Sequence, residues 1–407
     1  MNAMHIAFPL ALAYLRDRLL ATCLNILLLA LGIATIVSLL LTLSQAEQRM
    51  DRDAAGIDLV VGAKGSPLQL ILSSVFQVDI PTGNIPLVEA RRIAGDAMVR
   101  KSVPLALGDS YGTFRIVGTT PDYLSLYAAE IHSGRVWSRP MEVIVGAEVA
   151  ARKGLQLGQR IAGNHGLTET GAAHTDKPFE VVGILKPTGA VIDRLVLTAV
   201  DSVWAVHTHQ PVDQGDVLPD DEKELTALLI QYATPLAAAS FPRRVNAISG
   251  LQAASPAMEI ARLFSLLGFG IGALKLFAGI MMVCAGLGIF IGLSNALDDR
   301  RADLALLRLL GASRTTVFLT ILVQGFALGM AGVILGLALG HAGTEWMAQV
   351  LPQVRGLGFT GWTWISQEGM VAGGALLLAL LAGCVPALRA YRDTGNANAI
   401  PELLGQR

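Results

Sequence analysis

The sequence predicts an α-helical membrane protein, with four spanning helices in a one-plus-three order and a large α+β domain inserted between the first and the second. Three observations lead there. Hydrophobic residues make up 53% of the chain and charged residues 15%, where a soluble domain carries roughly 45–50% and about 25%. Mean hydropathy is +0.53. Four apolar stretches are long enough to cross a hydrocarbon core of ~30 Å, one near the start and three crowded towards the end.

The first stretch carries no charge from Leu19 to Leu43. It is longer than the apolar region of a cleavable signal, ~7–15 residues. We therefore expect an uncleaved anchor, although Ser44-Gln45-Ala46 would serve as a cleavage site. The second stretch, Leu276 to Leu297, follows an amphipathic run from Met258 to Lys275, and the two read as one long helix with Lys275 snorkelling at the interface. The third runs from about Thr316 to His341 and the fourth from Gly369 to Leu388, with Trp346, Trp362 and Trp364 as interfacial anchors. The expected segments are 1–18, N-terminal tail; 19–43, first span; 44–257, inserted domain; 258–297, stalk and second span. They continue with 298–314, charged loop; 315–341, third span; 342–368, loop; 369–388, fourth span; and 389–407, tail.

Arginine placement sets the expected orientation. Arg16, Arg18, Arg300, Arg301, Arg308, Arg314, Arg389 and Arg392 flank the spans on one side, against Arg355 on the other. Both termini and the charged loop are thus expected in the cytoplasm and the inserted domain outside, in a bacterial inner membrane. Small residues recur at Gly325, Gly329, Gly332, Gly336 and Gly340, and at Gly288 and Gly292. Such stripes let helix backbones approach closely, within the chain or with a second copy. No ionisable residue falls mid-span, which argues against a carrier driven by protons or sodium. Buried polar groups are likewise expected to be lacking in the spans.

Formal net charge is −1 and gives no footprint for nucleic acid. Cys23, Cys284 and Cys384 each sit in an apolar run, with no zinc or redox spacing. In the inserted domain, Asp58–Val61, Thr113–Val117, Glu142–Val145, Phe179–Val182 and Arg194–Leu197 read as strands by β-branched content. Leu68–Phe76, Pro86–Gly95, Ala147–Lys153 and Pro235–Val245 read as helices. Val61-Gly62-Ala63-Lys64-Gly65-Ser66 lacks the spacing of a phosphate loop and reads as a turn into a helix opened by Pro67. HExxH, GxSxG and paired CxxC motifs are absent from the sequence, so we expect a non-catalytic subunit with no bound cofactor.

Histidine is the one suggestive feature of this domain. His165 and His174 with Asp176 fall in one loop, and His207 and His209 in a second. Imidazoles at these spacings can ligate zinc or a similar cation if the loops converge. Solvated loop histidines are the competing reading.

The charged loop reads Asp298-Asp299-Arg300-Arg301-Ala302-Asp303-Leu304-Ala305-Leu306-Leu307-Arg308-Leu309-Leu310-Gly311-Ala312-Ser313-Arg314. Leu304, Leu307 and Leu310 recur among charges as in a short amphipathic helix, stopped by Gly311, with Ser313 placed to cap the next helix. Such a helix can rest on a leaflet or fill a groove on a soluble partner. The run R-x-D-x-x-x-x-R-x-x-G-A-S-R resembles the cytoplasmic signature of the FtsX/MacB-like family of ABC transporter permeases. Gly146–Ile161 with Phe179–Leu185 resembles the family's periplasmic core domain, and Pro386-Ala387-Leu388-Arg389-Ala390 its end of the last span. Gln159, where the family often has an acidic residue, and the tail 393–399 depart from the pattern and leave the subfamily open.

The resemblance implies a coupling helix docking on a cytoplasmic ATPase that binds ATP and magnesium itself. The residues concerned are Arg300, Arg301, Asp303, Leu304, Leu307, Arg308, Gly311, Ala312, Ser313 and Arg314. It implies a second permease copy, identical or paralogous, and an extracytoplasmic domain moved by ATP-driven closure. The cargo would be a lipoprotein, peptide, siderophore or metal complex, with a periplasmic or outer-membrane partner. The alternative is a division-type scaffold that activates a cell-wall hydrolase without moving solute.

Overall fold

The structure, a computed structural model, describes residues 3–166, 177–207, 219–220, 222–299, 306, 311–350 and 358–393. Two compact units emerge, Glu47–Leu266 and the pair of segments Met1–Ala46 and Leu267–Arg407.

The chain opens with α1 (Ala3–Asp17) and α2 (Leu19–Ala54). Sequence reading left the first 18 residues as a tail, yet α1 is a packed helix. Ala7 and Ala11, one helical turn apart, are buried, because two small side chains on one face let another helix come close. Thr22 Oγ1 closes the joint between the two helices by donating to Leu15 O at 3.0 Å.

The inserted unit follows in mixed order: β1 (Leu59–Ala63), α3 (Pro67–Ser74), β2 (Ile85–Pro86), α4 (Leu87–Ala94), β3 (Val99–Tyr111), β4 (Phe114–Thr119), α5 (Asp122–Leu126), β5 (Ile131–Gly134), β6 (Glu142–Val145) and α6 (Ala147–Lys153). It continues with β7 (Arg160–Ile161), β8 (Asn164–His165), β9 (Phe179–Leu185), a 3₁₀ turn at Val191–Arg194, β10 (Leu195–Ala199), α7 (Val200–His207), β11 (Glu224–Leu225), β12 (Ala227–Tyr232), α8 (Ala237–Asn246) and β13 (Leu251–Ala254). Eleven of the described strands form one mixed sheet in the order β13-β1-β12-β3-β4-β10-β6-β9-β5, with β7 on β9 and β8 on β3, while β2 and β11 pair in a small sheet of their own. The β4–β10 and β6–β9 pairings are parallel and the others antiparallel. In β9, Phe179, Val181 and Leu185 are buried while Glu180 is exposed, the alternation of a strand with one covered face. Every residue of β4 is buried. Ser66 caps α3, its side chain accepting from Gln69 N at 3.4 Å, with Pro67 at the first helical position.

Of the described strands, β2, β3, β5, β7, β8, β11, β12 and β13 fall outside the sequence reading. In β3 the reason is local: Pro104 and Gly108 interrupt its β-branched pattern. The ladder tolerates both, and its register with β4 shifts between Leu107 and Ser110.

The last three helices are α9 (Pro256–Asp299), α10 (Arg314–Val350) and α11 (Ser366–Asp393). With α2 they make, among the described residues, four helices long and apolar enough to cross a membrane. The glycine stripe of α10 faces α2. A Cβ added at Gly332, Gly336 or Gly340 would lie 2.6 Å from Leu29 Cδ2, 2.7 Å from Ile33 Cβ and 2.9 Å from Val37 Cβ respectively. Gly325 and Gly329 face Ala379 of α11 in the same way. Dispersion between closely approaching backbones holds such pairs together where solvent exclusion cannot. The expectation of spans without buried polar groups is corrected: Thr316, Thr320, Gln324, Thr344 and Glu368 are all buried. Thr320 and Thr344 satisfy themselves on the helix backbone, donating to Thr316 O and Gly340 O at 2.8 Å each, which is how short hydroxyl side chains hide in an apolar helix.

Candidate functional site

The charged connection between α9 and α10 leaves and returns through defined ends. Asp299 closes α9 and pairs with Arg18 at the head of α2. Both side chains are well exposed, so the pair orients the ends more than it stabilises them. Gly311 has φ +95°, a left-handed turn that glycine adopts freely and that stops a helix. Ser313 Oγ then accepts from Thr316 N at 3.2 Å and shares a proton with Thr316 Oγ1 at 2.9 Å, capping α10 as its position predicts. Ala312 precedes that cap and Arg314 begins the helix. Leu306 is helical and exposed. Arg300, Arg301, Asp303, Leu304, Leu307 and Arg308 lie outside the described residues.

The helix ends beside this connection are packed. Leu293 and Leu297 of α9, Val317 and Ile321 of α10 and Ala387 and Ala390 of α11 share one apolar cluster that also takes in Leu15 of α1. Phe318 and Tyr391 meet edge to face with centroids 6.3 Å apart. Tyr14, Leu293, Thr320 and Gln324 line a cleft there. The ends of α9 and α10 that bound the connection are therefore set in close-packed side chains.

At the other end of this unit lies a polar layer that sequence reading missed. Gln45 of α2 donates to Thr360 O at 2.8 Å and accepts from Thr360 N at 2.9 Å. Glu345 of α10 accepts from Gly361 N at 2.9 Å and Thr360 Oγ1 at 3.0 Å. His341 of α10 bonds both Gly361 O and Glu368. In the sequence His341 and Glu368 close and precede their spans, and nothing in the spacing shows that they meet.

In the inserted unit the anchoring groups are also polar. Asp53, near the end of α2 and 2% exposed, accepts from Val191 N at 2.6 Å. Asp193 holds the turn before it, accepting from Thr188 N, Thr188 Oγ1 and Gly189 N. Arg115 of β4 is buried and donates to Ser73 O at 3.1 Å and Asp79 O at 2.7 Å, and burial draws its pKa down to about 10. Glu142 of β6 takes two bonds from Arg135, at 2.6 and 2.7 Å, and one from Ser138 N at 2.7 Å. Those bonds, Arg135 first, hold its carboxyl down at about 2.

His165 lies in β8 opposite Asp109 of β3, and His207 ends α7. Lys177 Nζ, just before β9, donates to Ala205 O of α7 at 2.6 Å, so the second histidine-bearing segment begins beside the point where the first one ends. His174, Asp176 and His209 lie outside the described residues. Among the described residues no three His, Cys, Asp or Glu side chains gather as a metal site.

A family model for the MacB-like periplasmic core domain matches residues 22–240, more than half of the chain. One for the FtsX-like permease C-terminal region matches residues 275–394. The chain belongs to the FtsX/MacB-like family of ABC transporter permeases. This permease is 22% identical over 404 residues to the macrolide export ATP-binding/permease protein MacB of Bdellovibrio bacteriovorus, covering 91% of this chain and 57% of that one. It is 25% identical over 245 residues to the uncharacterized ABC transporter permease MJ1507 of Methanocaldococcus jannaschii, covering 57% of this chain and 56% of that one. The permease thus spans a little over half the length of these relatives. Among solved structures, the periplasmic region of MacB from Actinobacillus actinomycetemcomitans aligns at 8% identity and TM-score 0.36 over 52% of this chain and 95% of that one. The extracellular domain of the transporter YknZ from Gram-positive bacteria aligns at 14% and 0.31 over 48% and 98%. With its four apolar helices, the permease is a multi-pass membrane protein.

Proposed function

We propose that this permease couples ATP hydrolysis by a separate cytoplasmic ATPase to movement of its inserted domain outside the membrane. The observation that carries this reading is the bounded connection between α9 and α10: a glycine stop at Gly311, a serine cap at Ser313 and an ion pair at Asp299, set on close-packed helix ends. A docking helix needs firm ends if force on it is to reach the spans. Both α2 and α9 contribute residues to the transmembrane and the inserted unit without a break in the helix, which suits them to carry that movement. The exposed apolar faces of α2 and α9, with Leu20, Leu24, Phe269 and Phe277 uncovered, suit lipid and a second permease copy. In this reading both termini are cytoplasmic and the membrane is the bacterial inner membrane.

The test uses Arg301→Glu with Arg308→Glu. Copurification of the ATPase from native membranes is expected to fall at least tenfold, with insertion unchanged; full retention of the ATPase overturns the docking role. Reconstituted ATPase activity stimulated by an extracytoplasmic protein, with no solute moved, would convert the reading into the signalling scaffold.

For the cargo we propose a divalent transition metal or its complex, held by His165, His174, Asp176, His207 and His209. The Lys177–Ala205 contact supports this, since Lys177 follows the first segment and Ala205 shortly precedes the second. Calorimetric titration of the full chain with zinc is expected to show binding that disappears when the four histidines become alanine. Equal binding by that variant removes the histidines from the site.

A further inference from the structure

We infer that the cleft between α1, α9 and α10 is a binding site for one water molecule, held by the amide of Gln324 with the hydroxyls of Thr320 and Tyr14, and that this water ties α1 to α10. The inference does not depend on what the permease moves.

The site begins with a spacing. Thr316, Thr320 and Gln324 recur every four residues along α10, so they lie on one face of the helix, a turn apart. The threonines and the glutamine differ in reach. A short hydroxyl side chain folds back on its own helix: Thr320 Oγ1 donates to Thr316 O at 2.8 Å, and Thr316 Oγ1 meets the Ser313 hydroxyl at 2.9 Å. Gln324 carries its amide further out, past that backbone. It is 5% exposed and lies ten residues after Arg314, the first of α10, about 15 Å along the helix. Among the described residues no group bonds its amide, and the side chain lines the cleft instead.

Whatever enters the cleft must bond that amide. Leu293 and Leu297 of α9 and Val317 and Ile321 of α10 make much of the wall, and their side chains offer no hydrogen bond. An amide buried against such a wall without a partner loses the bonds that water gave it. The cleft has a volume of about 20 Å³. One water takes roughly 10–15 Å³ by that measure, so a water fits and nothing the size of a lipid headgroup does.

A buried water needs roughly two to four polar partners. Among the described residues, Gln324, Thr320 and Tyr14 supply them from the wall. Thr320 Oγ1 has spent its hydrogen on Thr316 O and keeps lone pairs, so it accepts from the water. The Gln324 amide donates to it or accepts from it, and the Tyr14 phenol, able to do both, takes it beside its other contacts. Tyr14 belongs to α1 and Gln324 to α10, so the water joins two helices whose other shared contacts here are apolar. A bridging water is nearly as good as a direct hydrogen bond. It also turns to follow either partner, which keeps the tie through small displacements of α1.

The test is water-edited solid-state NMR of the full-length permease in lipid bilayers, with glutamine labelled in its side-chain amide. The Gln324 signal is assigned by its loss in Gln324→Leu. Magnetisation is expected to pass from water to Gln324 within about fivefold of the rate at the exposed Gln156; slower transfer overturns the water site. Ala296→Leu, which fills the cleft from α9, is expected to slow the transfer at least fivefold, and a smaller change overturns the cleft as the water's place. Tyr14→Phe keeps the ring and removes the hydroxyl, and is expected to slow the transfer at least twofold. Transfer unchanged in that variant overturns the tie to α1. Should Ala296→Leu fail to insert, Ala296→Val makes the same comparison with one methylene less.

Discussion

Arg115 sits inside a strand whose other residues are apolar or small, and its guanidinium ties β4 to the end of α3 and the turn after it. The turn it serves contains Gln77 at φ +59°, a backbone state a side-chain-bearing residue enters only when held. Arg115→Met is therefore expected to leave carbonyls unpaired, lower stability by about 1–3 kcal/mol and open 77–82 to limited proteolysis. Glu142 gives a pH prediction. Its carboxyl is held at about 2, against roughly 4.3 for a free glutamate, so the native state favours the ionised form. Its contribution is complete above the free value and is lost as pH falls from there towards about 2. Arg135→Ala should move acid unfolding to higher pH, followed by the fluorescence of the buried Trp137 nearby. At Asp53 the acceptor matters more than the charge: Asp53→Ala should cost about 1–3 kcal/mol in thermal unfolding by orphaning Val191 N, and Asp53→Asn should retain most of it. These residues left a trace in the sequence, a charge within an apolar strand or beside a span. Their partners did not, because bonds such as Asp53 to Val191 join residues far apart in the chain.

Among the elements, α10 was the easiest to read. Its glycines repeat every three or four residues, and that period alone marks a close-packed face. The period cannot say which helix fills the groove; Leu29, Ile33 and Val37 of α2 do, themselves one turn apart. Gly336→Leu is expected to force α2 and α10 apart and lower the thermal midpoint in detergent, overpacking of this kind costing about 1–3 kcal/mol. Gly343 on the same helix has open space around it, and Gly343→Leu should leave the midpoint unchanged. The inserted strands were legible where β-branched residues run together, as in β1, β6 and β10. They were missed at β3, where Pro104 hides a strand whose carbonyl is still used, by Thr119 Oγ1 at 2.8 Å.

At the scale of the whole molecule, the one-plus-three order follows from hydropathy alone, since crossing hydrocarbon demands long uncharged helices. The sheet topology does not, because strand order is set by contacts between distant segments. β1 and β13, the first and last strands of the inserted unit, are neighbours, with Val60 opposite Ala254. The unit thus closes where it opens and has hydrophobic clusters of its own. Residues 47–266 expressed alone are expected to unfold cooperatively with heat; a broad, non-cooperative transition would show that the unit needs the spans.

Gln45 offers one residue, Thr360, both an acceptor and a donor, as an adjoining strand would. A helix advances 1.5 Å and turns about 100° per residue, so a slip of α2 by one position takes both bonds out of reach together. Partial slippage is not a state this joint supports. The helix α2 therefore keeps a fixed phase with the connection beside it, and any working stroke either carries the two as a keyed pair or breaks both bonds at once.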